Sequence, residues 1–161
     1  MLDQARAKTW PPGVTFHEGL AQDLGERRAD WGLEAPVDGV LAAYLFRNVS
    51  ERDAVLADVH ALLSDGGTLV VQEYSVAGSP FASLVWTLVS WTVVIPLSWL
   101  TSRRTRLYRY LWRSVREFDA VATFTDRLWA AGFVDVEVQT VPGWQHDILH
   151  TVRARKPVSH A

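Results

Sequence analysis

The segment from Ser50 to Tyr74 leaves the chain few folds to choose from. Val55, Leu56, Val59, Leu62 and Leu63 recur at the three- and four-residue spacing of a helix with one apolar face. Ser50 is in place to cap that helix, and Asp53 three residues on completes a capping box in a weaker form. S-D-G-G at 64–67 stops it in a left-handed turn, a conformation that glycine takes at no steric cost. T-L-V-V-Q-E-Y at 68–74 then runs strongly apolar. Helix, glycine stop and apolar strand in this order are the mark of a parallel α/β unit. D-G-V-L-A-A-Y-L-F at 38–46 precedes the unit and reads as a strand buried on both faces.

The flanks extend this pattern. Residues 1–9 (M-L-D-Q-A-R-A-K-T) read as a helix with no cap in front, ended by P-P-G at 11–13. V-T-F-H at 14–17 is a short alternating strand, and 18–36 are polar loop with one helical turn. Residues 120–131 form an amphipathic helix ended by Gly132. F-V-D-V-E-V-Q-T-V at 133–141 turns Val134, Val136 and Val138 inward as a half-buried strand, and 148–155 form the last strand. With 161 residues the chain is one domain with a real core. It has no cysteine, which excludes disulfides, thiolate metal sites and thiol catalysis and fits a reduced, cytoplasmic setting. A net charge of −2 gives no overall field for nucleic acid. His17, His60, His146 and His150 form no metal-ligand pair such as H-x-x-x-H on one face, and only His146, beside Asp147, merits attention.

F-A-S-L-V-W-T-L-V-S-W-T-V-V-I-P-L-S-W-L at 81–100 carries no charge, while 103–117 is rich in arginine. Twenty such residues are long enough to span a bilayer. Topology opposes a span, because strands before and after the stretch must join one sheet. The expectation is a hydrophobic helical lid over 81–117, with helices at 81–95 and 97–116 broken at Pro96. Its tryptophans would lie at a membrane surface and its arginines on anionic headgroups. The expected location is cytoplasmic, with a peripheral place at the inner face of the membrane if the lid lies there. The alternative is a lid buried in a dimer.

From 45 to 75, L-F-R-N-V-S-E-R-D-A-V-L-A-D-V-H-A-L-L-S-D-G-G-T-L-V-V-Q-E-Y-S, the sequence resembles the class I S-adenosylmethionine (SAM) methyltransferases. More narrowly it resembles the ubiquinone/menaquinone C-methyltransferase family. R-N-V at 47–49 with D-A-V-L at 53–56, and L-L-S-D-G-G-T-L-V-V-Q-E-Y-S at 62–75, carry the likeness. So do Y-R-Y-L-W-R-S-V-R-E-F at 108–118 and L-W-A-A-G-F-V-D-V-E-V at 128–138. The resemblance implies a Rossmann-like sheet of order 3-2-1-4-5-7-6, with 14–17 as strand 3 and 38–46 as strand 4. The strand at 68–74 is strand 5, and 133–141 and 148–155 are strands 6 and 7. It implies a single partial domain over 1–161, with strands 3–7 present, strands 1 and 2 absent, and the lid inserted between strands 5 and 6. No G-x-G-x-G occurs in the sequence. The expected sheet order is (3)-4-5-7-6, with an exposed apolar edge at strand 4 for which three outcomes stand open: strand 3 pairs with it directly, two copies pair edge to edge, or the sheet frays there.

The same resemblance assigns the site. Glu73 and Tyr108 are its catalytic candidates. Glu73 would orient a phenolic acceptor or take its proton, and Tyr108 would stack on the acceptor ring. Arg47, Asn48 and Tyr110 are the substrate-binding candidates. Leu20, Ala21, Ala43 and Tyr44 are the cofactor contacts, a half-site for SAM. Leu20 stands where the family has a polar residue against the adenine, and it cannot accept the adenine amino hydrogens. The plainer alternatives are an Arg47 carboxylate pair, Asn48 as a cap, Glu73 paired with Arg109 or Arg113, and ordinary packing for the tyrosines. Two functions stand side by side: an enzyme methylating a lipophilic, quinone-like acceptor, or a non-catalytic module that binds lipid or a partner.

Overall fold

The computed structural model describes residues 2–101, 103 and 105–159. Met1 of the expected opening helix and Arg104 of the arginine run lie outside the described residues. Four strands form one sheet: β1 (Val37–Ala43), β2 (Leu63–Tyr74), β3 (Val134–Thr140) and β4 (Leu149–Arg155). Their order is β1-β2-β4-β3, with β1 parallel to β2 and β4 antiparallel to both its neighbours. This is the 4-5-7-6 order of the expected sheet. The strand expected at 14–17 does not form. Phe16, one of its two apolar anchors, packs edge-on against Trp10 at 5.2 Å, and Arg6 donates to its carbonyl. The segment is thus held by the chain before it, and β1 is the sheet edge.

Helices α1 (Leu2–Arg6) and α2 (Leu24–Arg27) are short, and α1 ends sooner than its pattern suggests. Helix α3 (Arg52–Leu62) crosses from β1 to β2 and buries Val55, Leu56, Val59 and Leu62. Its expected cap is absent: Glu51 holds the N-cap position and no side chain caps it. Asp53 instead accepts from Arg127 at 2.7 Å, and the same guanidinium reaches Asp119 at 2.8 Å. These two carboxylates hold Arg127 firmly protonated, Asp53 contributing most through its hydrogen bond. The competition is simple, since a charged partner outweighs a neutral backbone amide. Asp119 also faces Arg52 at 3.5 Å, so one carboxylate ties the start of α3 to α7 (Val121–Ala130).

The glycine stop lies inside β2 rather than before it. Val37 pairs with Leu63 and Gly39 with Thr68, so S-D-G-G forms a bulge between the two pairings. Gly66 sits at φ +77, and a Cβ on Gly67 would lie 2.7 Å from the Ser64 carbonyl oxygen. Both positions therefore require glycine.

The core lies on one face of the sheet, between β1, β2 and β4 and the helices α3 and α7. Phe46, Leu56, Leu63, Leu69, Leu128 and Phe133 are fully buried there. β1 is not buried on both faces as its apolar run implied. Val40 and Ala42 turn inward, while Leu41 is 72 % exposed and Ala43 is exposed.

The apolar stretch forms α4 (Pro80–Val89), a π turn (Ser90–Val94) and α5 (Ile95–Thr101), a continuous helix of 22 residues. Pro96 does not break it. The π turn widens the helix just before the proline, where an ordinary hydrogen bond would be lost. Its extra residue also keeps the buried stripe continuous through Ala82, Trp86, Ser90, Ile95 and Ser98. Ser79 accepts from the Ala82 amide and caps the start. After residues 102–104, α6 (Thr105–Glu117) returns antiparallel. Trp86 donates to the Trp112 carbonyl, and Trp91 meets Trp112 edge-on at 5.8 Å.

His60, which its helical position suggested was a surface residue, is half-buried with its ring edge-on to Phe133 at 5.0 Å. Burial lowers its pKa from 6.5, and the Lys156 cation adds to this against the Gly132 backbone and Asp65. The fold therefore favours the neutral ring. The stability this gives is present above the unfolded value and is lost as pH falls through the depressed one. Melting temperature is expected to fall between about pH 7.5 and about pH 5, and His60→Gln is expected to shrink that fall. An equal fall in both proteins would show that another group senses the acid.

Candidate functional site

Parallel β1 and β2 end at the same edge of the sheet, where α/β folds collect their ligands. After Ala43 the chain turns sharply. Tyr44 takes a left-handed conformation (φ 56) while its amide donates to the Gln72 carbonyl at 2.8 Å. A side chain held there costs about 1–3 kcal/mol and marks a position fixed by its surroundings. The turn leads into a single 3-10 turn, Phe46–Asn48. Phe46 is the anchor: fully buried, it packs against Phe124 at 5.2 Å. With Phe46 inside, Arg47 and Asn48 are presented at the strand ends.

Arg47 meets Glu73, the penultimate residue of β2. Its Nη1 donates to Glu73 Oε1 at 2.5 Å, and its backbone amide approaches Oε2 at 3.3 Å. The Tyr74 amide donates to the same carboxylate at 3.1 Å. Glu73 is only 4 % exposed. Its partner is therefore Arg47, and neither Arg109 nor Arg113. Arg47 Nε is buried and has no hydrogen-bond partner among the described residues. An unsatisfied donor on a buried cation costs about 1–3 kcal/mol or more.

Three rings stand beside this pair. Tyr44 stacks on Tyr74 at 5.0 Å and 21°, and Tyr74 stacks on Trp86 at 5.6 Å and 25°. The Arg47 guanidinium lies 5.6 Å from the Tyr44 ring centroid. Burial raises the Tyr74 pKa, with the neighbouring Tyr44 phenol adding to the effect, so Tyr74 stays neutral. Asn48 joins the lid to the site. It donates to the Tyr44 carbonyl at 3.1 Å and accepts from the Tyr110 hydroxyl at 2.9 Å.

The structure thus brings together Tyr44, Arg47, Asn48, Glu73 and Tyr110, with Ala43 at the strand end beside them. Tyr108 does not join them. It is half-buried on α6 and makes no hydrogen bond or ring contact among the described residues. Residues two apart on a helix point to different sides, so Tyr108 and Tyr110 cannot share one contact. Leu20 and Ala21 sit at the start of a 3-10 turn (Ala21–Asp23). Leu20 is 65 % exposed and Ala21 packs on the core. Neither hydrogen-bonds nor stacks with the group. Tyr74 and Trp86 are the members that the motif reading missed. Tyr74 follows Glu73 on a strand, so it presents to the opposite face. Trp86 is hidden among the lid tryptophans, and only the fold singles it out. His146 and Asp147, 3.2 Å apart and exposed, lie in the loop before β4.

The mixed sheet and its helices match the Rossmann-like fold of SAM-dependent methyltransferases. A SAM-dependent methyltransferase from Thermotoga maritima superposes with a TM-score of 0.56 over 89% of this chain and 65% of its own, at 18% identity. The sequence profile of the ubiE/COQ5 methyltransferase family matches residues 13–148, and the chain belongs to that family. A ubiquinone/menaquinone biosynthesis C-methyltransferase, UbiE, from Bradyrhizobium sp. (strain BTAi1) is 30% identical over 81% of this chain and 49% of its own length. The mitochondrial 2-methoxy-6-polyprenyl-1,4-benzoquinol methylase of Bos taurus is 26% identical over 86% of this chain and 40% of its own. The chain spans about half the length of the curated relatives it matches.

Proposed function

We propose that these 161 residues carry the acceptor side of a SAM-dependent methyltransferase site whose substrate is a lipophilic, quinone-like ring. The observation that carries this reading is the Arg47–Glu73 pair at the shared end of β1 and β2, tied through Asn48 to the lid at Tyr110. Arg47 Nε is a buried donor waiting for an acceptor oxygen. A ring oxygen of the acceptor satisfies it, and Tyr44, the half-buried end of the Tyr44–Tyr74–Trp86 column, offers an aromatic edge against which a flat acceptor packs. The lid closes over the column and keeps water out.

Glu73 holds Arg47 in place. Its carboxylate already accepts from three N–H groups, so it orients the guanidinium rather than taking a proton. SAM, when bound, supplies a methyl group already activated on its sulfonium. Ala43 and Tyr44 suit one wall of its site, but the sequence contains no G-x-G-x-G and Leu20 offers no polar contact. These residues fit the acceptor better than the donor. The free edge of β1 is where a further strand, including that of a second copy, would add.

Calorimetric titration separates the two sides. The 161-residue chain is expected to bind a 1,4-benzoquinone with a short isoprenoid tail, and to bind SAM more weakly than about 1 mM. A micromolar SAM constant would show a complete donor site.

A further inference from the structure

Resting on this reading of the lid, we propose that the α4–α6 hairpin carries a phospholipid headgroup site that seats the protein on an anionic bilayer. Two features of the hairpin lie next to each other. The first is an apolar surface: Phe81, Leu84, Leu88, Leu97, Trp99 and Leu100 are all exposed on α4 and α5, with Trp99 at 64 % and Leu100 at 73 %. They sit opposite the buried stripe that anchors the helix to the domain. The second is a pocket of about 410 Å³ lined by Trp91, Arg106, Arg109, Tyr110, Trp112 and Arg113.

The pocket is built for an anion. Arg109 of its lining lies 5.6 Å from the Trp91 ring centroid, and outside the lining Arg116 lies 4.9 Å from that of Trp112. Contact with the indole restrains the Arg109 side chain, so less freedom is lost when it binds an oxyanion. The only acid in the segment 80–117 is Glu117, which lies 3.8 Å from Arg113, against six arginines in a chain of net charge −2. The pocket thus carries a net positive charge bordered by tryptophan, and beside it lies a surface that wants hydrocarbon.

That pairing selects the occupant. A second copy would set arginines against arginines. A soluble anion would leave the apolar face in water. An anionic bilayer takes the guanidinium groups on its phosphates and the leucines and tryptophans at its acyl boundary. The helix does not cross. It is long and apolar enough by composition, but β2 and β4 pair on either side of it in one sheet. The 13 residues of α6 rise only about 20 Å on the return, less than a hydrocarbon core of about 30 Å. Tyr110 lines the pocket and also donates to Asn48, so the headgroup site adjoins the ring site. A lipophilic acceptor therefore enters from the bilayer side.

Vesicle flotation of the 161-residue chain tests this without quinone or SAM, so its failure is separate from a failure of the acceptor reading. Vesicles of phosphatidylcholine with phosphatidylglycerol are expected to float the protein, and pure phosphatidylcholine vesicles to leave it behind. Arg109→Gln and Arg113→Gln are each expected to weaken binding about 5-fold. Trp99→Ser with Leu100→Ser is expected to abolish it while the far-ultraviolet spectrum stays unchanged. Equal flotation on both vesicles overturns the proposal, as does full binding by the double arginine variant. Release of the protein by millimolar inorganic phosphate at constant ionic strength would show a free-phosphate site instead. A dimer broken by the Trp99 and Leu100 substitutions would show that a second copy covers the face.

Discussion

Replacing Glu73 with alanine is expected to cost the fold about 3–5 kcal/mol, because it leaves the Arg47 guanidinium buried without its counter-charge. Arg47 has no other carboxylate partner among the described residues, and its Nε is already unsatisfied. The lost group also served the Tyr74 and Arg47 amides, so two backbone donors lose an acceptor as well. Urea denaturation followed by tryptophan fluorescence measures the loss. The double variant Arg47→Met, Glu73→Leu is expected to recover most of it, since apolar side chains of similar volume fill the space without a charge to desolvate. A Glu73→Ala protein as stable as the parent would mean that the pair is not desolvated.

The second large effect is expected at Phe46. It is fully buried between the end of β1 and Phe124, and Phe46→Ala removes the ring from a packed core. The expected loss is about 3–5 kcal/mol. Phe46 is also the pin of the turn that presents Arg47 and Asn48. A variant that stays folded under stabilising conditions is therefore expected to bind the quinone ring more weakly. Phe46→Leu keeps most of the apolar volume and is expected to lose less of both. Unchanged stability in Phe46→Ala would contradict the packing described for this turn.

Much of this architecture is legible in the residues themselves. The helix at 52–62 and the strands around it follow from apolar spacing, and the sheet order follows from the family resemblance. What the pattern misses has physical causes. Alternation predicts a strand at 14–17, yet two apolar anchors do not hold an edge strand when Trp10 offers a nearer partner. Ser50 and Asp53 spell a capping box, yet Arg127 arrives from far along the chain and takes Asp53. Pro96 spells a break, yet a π turn absorbs it. Each is a local signal overruled by a contact or a backbone adjustment that spacing cannot reveal.

The site divides the same way. Arg47, Asn48 and Glu73 are visible because they stand in a motif at strand ends. That Arg47 and Glu73 are each other's partners is not visible, since both have oppositely charged alternatives in the sequence. Tyr110 rather than Tyr108 reaches the site because the helix has one phase, and that phase is set by Trp112 packing under Trp86 and Trp91. Tyr74 and Trp86 join this cluster only once the lid is folded back over β2.

The acceptor claim is tested most directly by titrating the short-tailed benzoquinone into the Arg47→Met, Glu73→Leu protein beside the parent. The double variant is expected to keep the fold, so a change in affinity reports on the guanidinium and not on unfolding. The account predicts binding by the parent and a loss of at least about tenfold in the variant, near 1.4 kcal/mol. A variant that binds the quinone as tightly as the parent would contradict it.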